Sequence, residues 1–284
     1  MMLEKIAVLV DSGMDVPKSI LEKDGIYVVP LNIIYPEGTY IDKETITSKE
    51  IYERLSKEIP STSLPNGESI DKIFNQIIAD GYTHLIIATI SSGLSGTHNI
   101  LKLMSKDYSD LVCGFVDTLS IGIGGGLQAV HVKEMIDNGN SFEQVIAKSQ
   151  ENVQNSRVFF SIPTLEYLKK GGRIGLVTSI LGTALNLNPV ISCNEEGIYY
   201  TVTKARGRKK SLEKLLQEVE KFVGNHKSYD LAVAYGNCIE EAELLKEAVE
   251  KRFPNIHHIY LDEVSPALGV HTGPGVLGMG VIKR

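Results

Sequence analysis

The chain has 284 residues, 43% of them hydrophobic and 23% charged, with a formal net charge of -6 at pH 7. That length leaves room for two domains and a sizeable core, and the acidic balance argues against nucleic acid as the main partner. No apolar run reaches the roughly 20 residues needed to cross a bilayer, and the scattered Cys113, Cys193 and Cys238 frame neither a disulfide scaffold nor a zinc pattern.

KIAVLVD (5–11) predicts a first strand. It ends in Asp11 with no small-residue cleavage site, so it is not read as a signal peptide, and a reducing cytoplasm is expected. IYVVPLNIIY (26–35) predicts a second strand, either an edge or bent at Pro30. Thr47 followed by Glu50 is a capping-box signature for a helix over 47–57. Residues 69–81 are amphipathic and stop at a glycine, as helices do. A buried strand over 84–90, a helix near 96–106, a strand over 111–118 and helices over 123–138 and 141–155 follow. Alternation of this kind predicts a parallel α/β sheet with a site at the strand C-termini.

Beyond 156 the pattern changes to RVFFSIP as a strand, TLEYLKKGG as a short helix and VTSILGTALNL as an apolar helix. Residues 189–205 predict a hairpin around Asn-Glu-Glu-Gly. A charged helix (211–223) capped by Ser211, a strand (230–236), a helix (239–252) and strands over 256–262 and 276–283 complete an α+β second domain. The boundary is placed at 155, giving domains 1–155 and 156–284. His257 and His258 sit on a strand-like run that would send their side chains to opposite faces, so no metal is expected there.

Three polar clusters carry the chemistry. They are PSTSLPN (60–66), SSGLSGT (91–97) and VHTGPG (270–275). Each alone suits a loop or turn. SSGLSGT lacks the Gly-Lys-Ser/Thr of a phosphate loop, and GIGGG (122–126) lacks the third glycine of the dinucleotide fingerprint, so close packing of a helix start explains it better. Gly93-Leu94-Ser95-Gly96-Thr97 misses the nucleophile elbow by one residue, which leaves a lipid hydrolase with Ser95 as nucleophile and His271 as base as an alternative.

Taken in order, these motifs resemble the DegV family of bacterial fatty-acid-binding proteins over essentially the whole chain. The residues are Asp11-Ser12, Thr62-Ser63-x-Pro65, Ser91 to Thr97, Asp117, Gly171-Gly172-Arg173-Ile174, Lys204-x-Arg206 and His271 to Gly275. Asn66, His98 and Asn188 depart from the family pattern. The resemblance implies an α/β DegV-like fold, with carboxylate-binding motifs in domain 1–155 and the acyl chain enclosed by domain 156–284. Thr62, Ser92, Ser95, Gly96 and His271 would hold the carboxylate of a palmitate, stearate or oleate. Ile180, Leu181, Ala184 and Leu185, on the apolar run 179–187, would wall the acyl chain.

The implied role is that of a non-catalytic subunit, needing no cofactor or metal. It would present the lipid to an ATP-dependent fatty acid kinase that makes an acyl phosphate for phospholipid synthesis. Arg173 and Arg206 would contact that partner, and a transient membrane encounter would exchange the ligand. A simple fatty acid carrier is a third reading. Hydroxyls and backbone N–H groups at a helix N-terminus suit a carboxylate that must be both desolvated and satisfied. The basic run KARGRKKS (204–211), set against the positive end of a helix dipole, points to an interaction surface.

Overall fold

Pro30 divides the run over 26–35 between two sheets. The computed structural model describes residues 4–180 and 187–284. Its first part runs through β1 (Ile6–Asp11), α1 (Lys18–Leu21), β2 (Ile26–Val29), β3 (Asn32–Tyr35), β4 (Gly38–Ile41), α2 (Ser48–Leu55), β5 (Ser61–Ser63) and α3 (Gly67–Ala79). Then come β6 (His84–Thr89), α4 (Thr97–Met104), β7 (Val112–Asp117), α5 (Ile123–Asp137) and α6 (Phe142–Asn155). The second part holds β8 (Ser156–Ser161), α7 (Glu166–Lys170), β9 (Val190–Cys193), β10 (Tyr199–Thr203), α8 (Arg208–Val223) and β11 (Tyr229–Tyr235). It closes with α9 (Ile239–Arg252), β12 (Ile256–Glu263), α10 (Pro266–Thr272) and β13 (Leu277–Lys283).

Strands β2-β1-β6-β7 form a parallel sheet in that order, as the strand–helix alternation predicts. Pro30 has no N–H for the ladder, so β2 ends at Val29 and the chain re-enters as β3 in a small antiparallel sheet, β4-β3-β5. The second part builds a mixed sheet of order β10-β9-β8-β13-β11-β12, in which only β11 and β12 run parallel. The fold class is therefore α/β with a parallel first sheet and a mixed second one.

Helix α5 joins the halves. It packs on β1 and also on β8, β11 and β13, and it is buried without interruption from Ile123 to Val132. That close fit needs its glycines: a Cβ on Gly124 would lie 2.7 Å from Val158 Cβ, and one on Gly126 2.6 Å from the Met14 carbonyl oxygen. GIGGG is thus a packing device.

The capping box at α2 is present, with the Thr47 side chain accepting from Glu50 N and the Glu50 carboxylate accepting from Thr47 N. The β9–β10 hairpin closes through Asn194 Oδ1, which accepts from Glu196 N (3.1 Å) and Ile198 N (2.8 Å).

Four local expectations need correction. Helix α8 begins at Arg208, capped by Gly207 in a left-handed conformation (φ 81°), so Ser211 is not its N-cap. Ser211 is buried instead, its hydroxyl 2.6 Å from that of Ser161. Of the predicted apolar helix over 177–187, residues 177–180 belong to a 3-10 segment, Gly175–Ile180, and Leu187 pairs with Arg206 in an isolated antiparallel bridge. The segment before the last strand, read as a turn, contains α10. Finally, the β11–β12 register shifts between Tyr229 and Leu231, so His257 and His258 fall in a bulge and their Nδ1 atoms lie 3.0 Å apart, not on opposite faces.

Candidate functional site

A cavity of about 200 Å³ opens where the parallel sheet, the small sheet and α10 meet. Thr62, Ser95, Arg173 and His271 supply its polar groups, while Leu31, Ile90, Ile121 and Leu268 are among its apolar walls. A further space of about 40 Å³ shares Ile121, Tyr199 and Leu268 with it and continues past Val158, Phe160 and Val276. The whole is polar at one end and hydrocarbon at the other.

Each polar side chain is held by a different element. Thr62 sits in β5, opposite Ile33 of β3. Ser95 lies in the loop after β6, whose start is fixed by Asp11: its carboxylate accepts from Ile90 N (2.8 Å) and Gly13 N (2.9 Å). Within that loop Ser91 is structural, because its buried hydroxyl donates to the Gly197 carbonyl (2.9 Å) and accepts from Gly93 N (3.0 Å). Ser91 therefore ties the loop to the hairpin of the other half. Ser95 Oγ contacts Thr97 Oγ1 (2.8 Å) and Thr97 N (3.3 Å) at the start of α4.

His271 occupies the last turn of α10, a helix positioned by buried carboxylates. Asp42 Oδ1 accepts from Ala267 N and Asp15 Oδ1 from Ser265 N, both at 3.0 Å, and Lys43 Nζ donates to Asp15 at 3.0 Å. Burial pushes Asp11 up to about 7 and Asp42 up to about 6. These groups brace the rim of the cavity.

The imidazole Nε2 of His271 lies 2.7 Å from Thr62 Oγ1, and its buried Nδ1 has no partner. Burial, then the charge of Arg173, lowers its pKa to about 4, so the ring is neutral at pH 7. A buried bare lone pair costs less than a buried unpaired N–H, which favours the tautomer with hydrogen on Nε2. The Thr62 hydroxyl then accepts from His271 and has its own hydrogen free to donate. Gly171 covers the other side of the ring, where a Cβ would overlap Nδ1 and lie 2.7 Å from Cε1.

Thr62, Ser95 and His271 thus share one cavity. Ser92 does not: it is exposed, with its N–H bonded to Asp117 Oδ1 (3.1 Å). Gly96 precedes α4 and faces Leu64. Arg173 lines the cavity, although the sequence reading assigned it to a partner surface. The Gly171-Gly172 turn, with Gly172 at φ 72°, folds the chain back so that Arg173 N bonds Leu168 O, and Nη1 donates to Gly171 O (2.7 Å). The cavity lining therefore includes a cation beside the hydroxyls. Arg206 is exposed. Leu181, Ala184 and Leu185 lie outside the described residues, and only the backbone of Ile180 is described. The apolar walls that sequence reasoning missed, Val158, Phe160 and Val276, are ordinary strand residues with no distinguishing signal.

Among the described residues, Ser95 Oγ has no hydrogen bond to a base, and the Nε2 of His271 is engaged by Thr62. A serine–histidine dyad is not assembled. No cavity residue belongs to a metal-binding group; among the described residues the one such grouping, Asp230 with His257 and His258, lies elsewhere. No helix among the described residues is long and apolar enough to cross a membrane.

Comparison with known proteins gives a consistent result. A family model described as "Uncharacterised protein, DegV family" matches residues 5–284. A DegV domain-containing protein of Clostridium acetobutylicum is 42% identical over 282 residues, covering 99% of this chain and 100% of the relative. Among solved structures, a fatty-acid-binding DegV family protein from Thermus thermophilus superposes with a TM-score of 0.92 at 29% identity, covering 99% of this chain and 100% of that one. A stearic-acid-binding protein from Eubacterium ventriosum gives 0.88 at 30% identity, with 98% of both chains covered. The chain belongs to the DegV family.

Proposed function

We propose that this protein binds one long-chain fatty acid in the cavity between its two halves and presents the carboxylate to an ATP-dependent kinase. The observation that carries the binding is the cavity's polarity gradient, with Thr62, Ser95, Arg173 and His271 at one end and, beyond Tyr199, hydrocarbon walls in which the one hydroxyl, that of Thr272, donates to the Leu268 carbonyl (3.0 Å). The carboxylate takes hydrogen bonds from Thr62 and Ser95 beside the neutral His271, with Arg173 nearby. The acyl chain runs past Leu268 towards Phe160, between domains 1–155 and 156–284. The fatty acids named for the related structures support the ligand class.

The tail supplies most of the affinity. Burying about 14 methylenes at roughly 0.8 kcal/mol each gives on the order of 11 kcal/mol before association costs. Each hydrogen bond to the charged head adds about 1.5–3 kcal/mol. The head group therefore sets orientation and exposes an oxygen for phosphorylation.

Presentation to a kinase rests on the basic run. Arg206 is exposed, and Arg208, Lys209 and Lys210 fill the first turn of α8, where the helix dipole opposes cations; Arg208 pairs with Glu241 (2.9 Å), while Lys209 and Lys210 are exposed. An acidic partner surface would relieve that mismatch, with Arg206 and Arg173 as its contacts. Acyl phosphate formation with a cognate kinase and ATP, compared between the wild type and Arg206→Ala, tests the role: a tenfold drop with unchanged lipid affinity is expected. Equal rates would leave a fatty acid carrier.

A further inference from the structure

The second polar centre lies at the far end of β11. Asp230 is four positions from Ala234, which lines the apolar annex, a span of about 13 Å along the strand. We propose that Asp230, His257 and His258 form a binding site for one divalent d-block cation, zinc by the chemistry of its donors.

The bulge is what assembles the site. Tyr229 pairs with Ile256 and Leu231 with Ile259, so Asp230 alone stands opposite the two histidines. Their Nδ1 atoms are 3.0 Å apart, and each is 3.4 Å from Asp230 Oδ1. Donors about 2.05 Å from a tetrahedrally coordinated ion lie about 3.3 Å from one another. The three atoms therefore have the edge lengths of one face of such a coordination sphere, with the fourth position towards solvent.

Two imidazoles and a carboxylate match the donor types zinc takes at open sites. Outer partners fix the carboxylate: His131 Nε2 lies 2.8 Å from Oδ2, Arg284 contacts both oxygens, and His258 N donates to Oδ1 at 3.0 Å. The imidazoles are 49% and 44% exposed, which gives the ion a route in. Arg284 Nη2 is 3.3 Å from His258 Nδ1. A guanidinium only donates, so that nitrogen presents its lone pair; the 3.0 Å contact then takes its hydrogen from His257 Nδ1, which must move to the other ring nitrogen as the ion binds. The ion takes the place of this contact, while Arg284 keeps its bonds to both Glu134 oxygens (2.8 Å each). The nearby guanidinium weakens the site relative to an all-neutral shell. Because β12 is the edge of its sheet, the ion clips that strand to β11.

The test uses untagged full-length protein, stripped with chelator and dialysed against micromolar zinc chloride. One zinc per chain is expected by atomic emission, and His257→Ala with His258→Ala should bind at least tenfold more weakly. Both residues lie outside the lipid cavity, so fatty acid affinity reports that the variant is folded, and single His257→Gln and His258→Gln variants provide a second comparison. Cobalt in place of zinc should give ligand-field bands without a thiolate charge-transfer band, which separates this site from Cys113 and Cys238. Absence of zinc in the wild type, retention unchanged by the substitutions, or a thiolate band would overturn the proposal.

Discussion

Gly171→Ala is the change that most sharply probes the histidine at the cavity. Gly171 has ordinary helical backbone (φ −75°, ψ −4°), so alanine costs nothing there in conformation. What it meets is the imidazole of His271, with Cε1 at 2.7 Å and Nδ1 closer still. Ordinary van der Waals contact begins at about 3.4 Å, and Nδ1 is the nearer atom, so the ring must move by more than about 1 Å. The Thr62–His271 contact is 2.7 Å, and a displacement of that size breaks it. If Thr62 and His271 orient the lipid carboxylate, losing that alignment costs the scale of one charge-assisted hydrogen bond, about 1.5–3 kcal/mol. The dissociation constant should therefore rise at least tenfold. Gly172→Ala is the control: its φ of 72° penalises any side chain, but nothing lies within 4 Å of the added Cβ. It should lower the melting temperature and leave binding intact. Competition against a fluorescent fatty acid, with melting curves for both variants, is the assay. Wild-type affinity in Gly171→Ala would refute the placement of His271 at the head group.

Thr62→Ala and Ser95→Ala should each weaken fatty acid binding by about 1–3 kcal/mol in the same assay without unfolding the chain. Ser91→Ala should instead destabilise the fold by about 1–3 kcal/mol in urea unfolding, because it leaves the Gly197 carbonyl and Gly93 N unpaired across the two halves. His271 has a folded pKa of about 4 against 6.5 for the free side chain, so its contribution is present above pH 6.5 and lost as pH falls towards 4. That loss is worth about 3 kcal/mol, and His271→Gln should remove it, seen as a shallower fall in ligand-free stability between pH 6.5 and 4.5. Arg173→Ala should reduce lipid affinity as well as turnover with a kinase, whereas Arg206→Ala should reduce turnover alone.

The strands of the parallel and the mixed sheet were legible as apolar runs, β1 and β7 ended by an aspartate, β2 by Pro30 and β11 by Gly236, whereas β4 and β5 of the small sheet were not, being short and polar, and 60–66 reads as a loop. Helix α2 was legible from its capping box and the β9–β10 hairpin from Asn194 and Gly197. Helix α10 was not, because seven residues are too few for a periodic signal, although Ser265 followed by Pro266 is the cap-then-proline pattern of a helix start. The hydroxyl clusters could be found but not sorted. Ser91, Ser92 and Ser95 are the same residue within five positions, and their different fates depend on contacts with Gly197, Asp117 and the cavity. The start of α8 was misplaced because Gly207 adopts a backbone that lets the helix begin earlier than a serine cap would. The pairing of His257 with His258 depends on the register of β11, which no periodicity within β12 reveals.

Native mass spectrometry of the purified chain tests the central claim most directly. The expected spectrum contains the polypeptide plus one long-chain fatty acid, and delipidated protein regains that mass when palmitate, stearate or oleate is added. A spectrum with polypeptide mass alone, unchanged by added fatty acid, would contradict it.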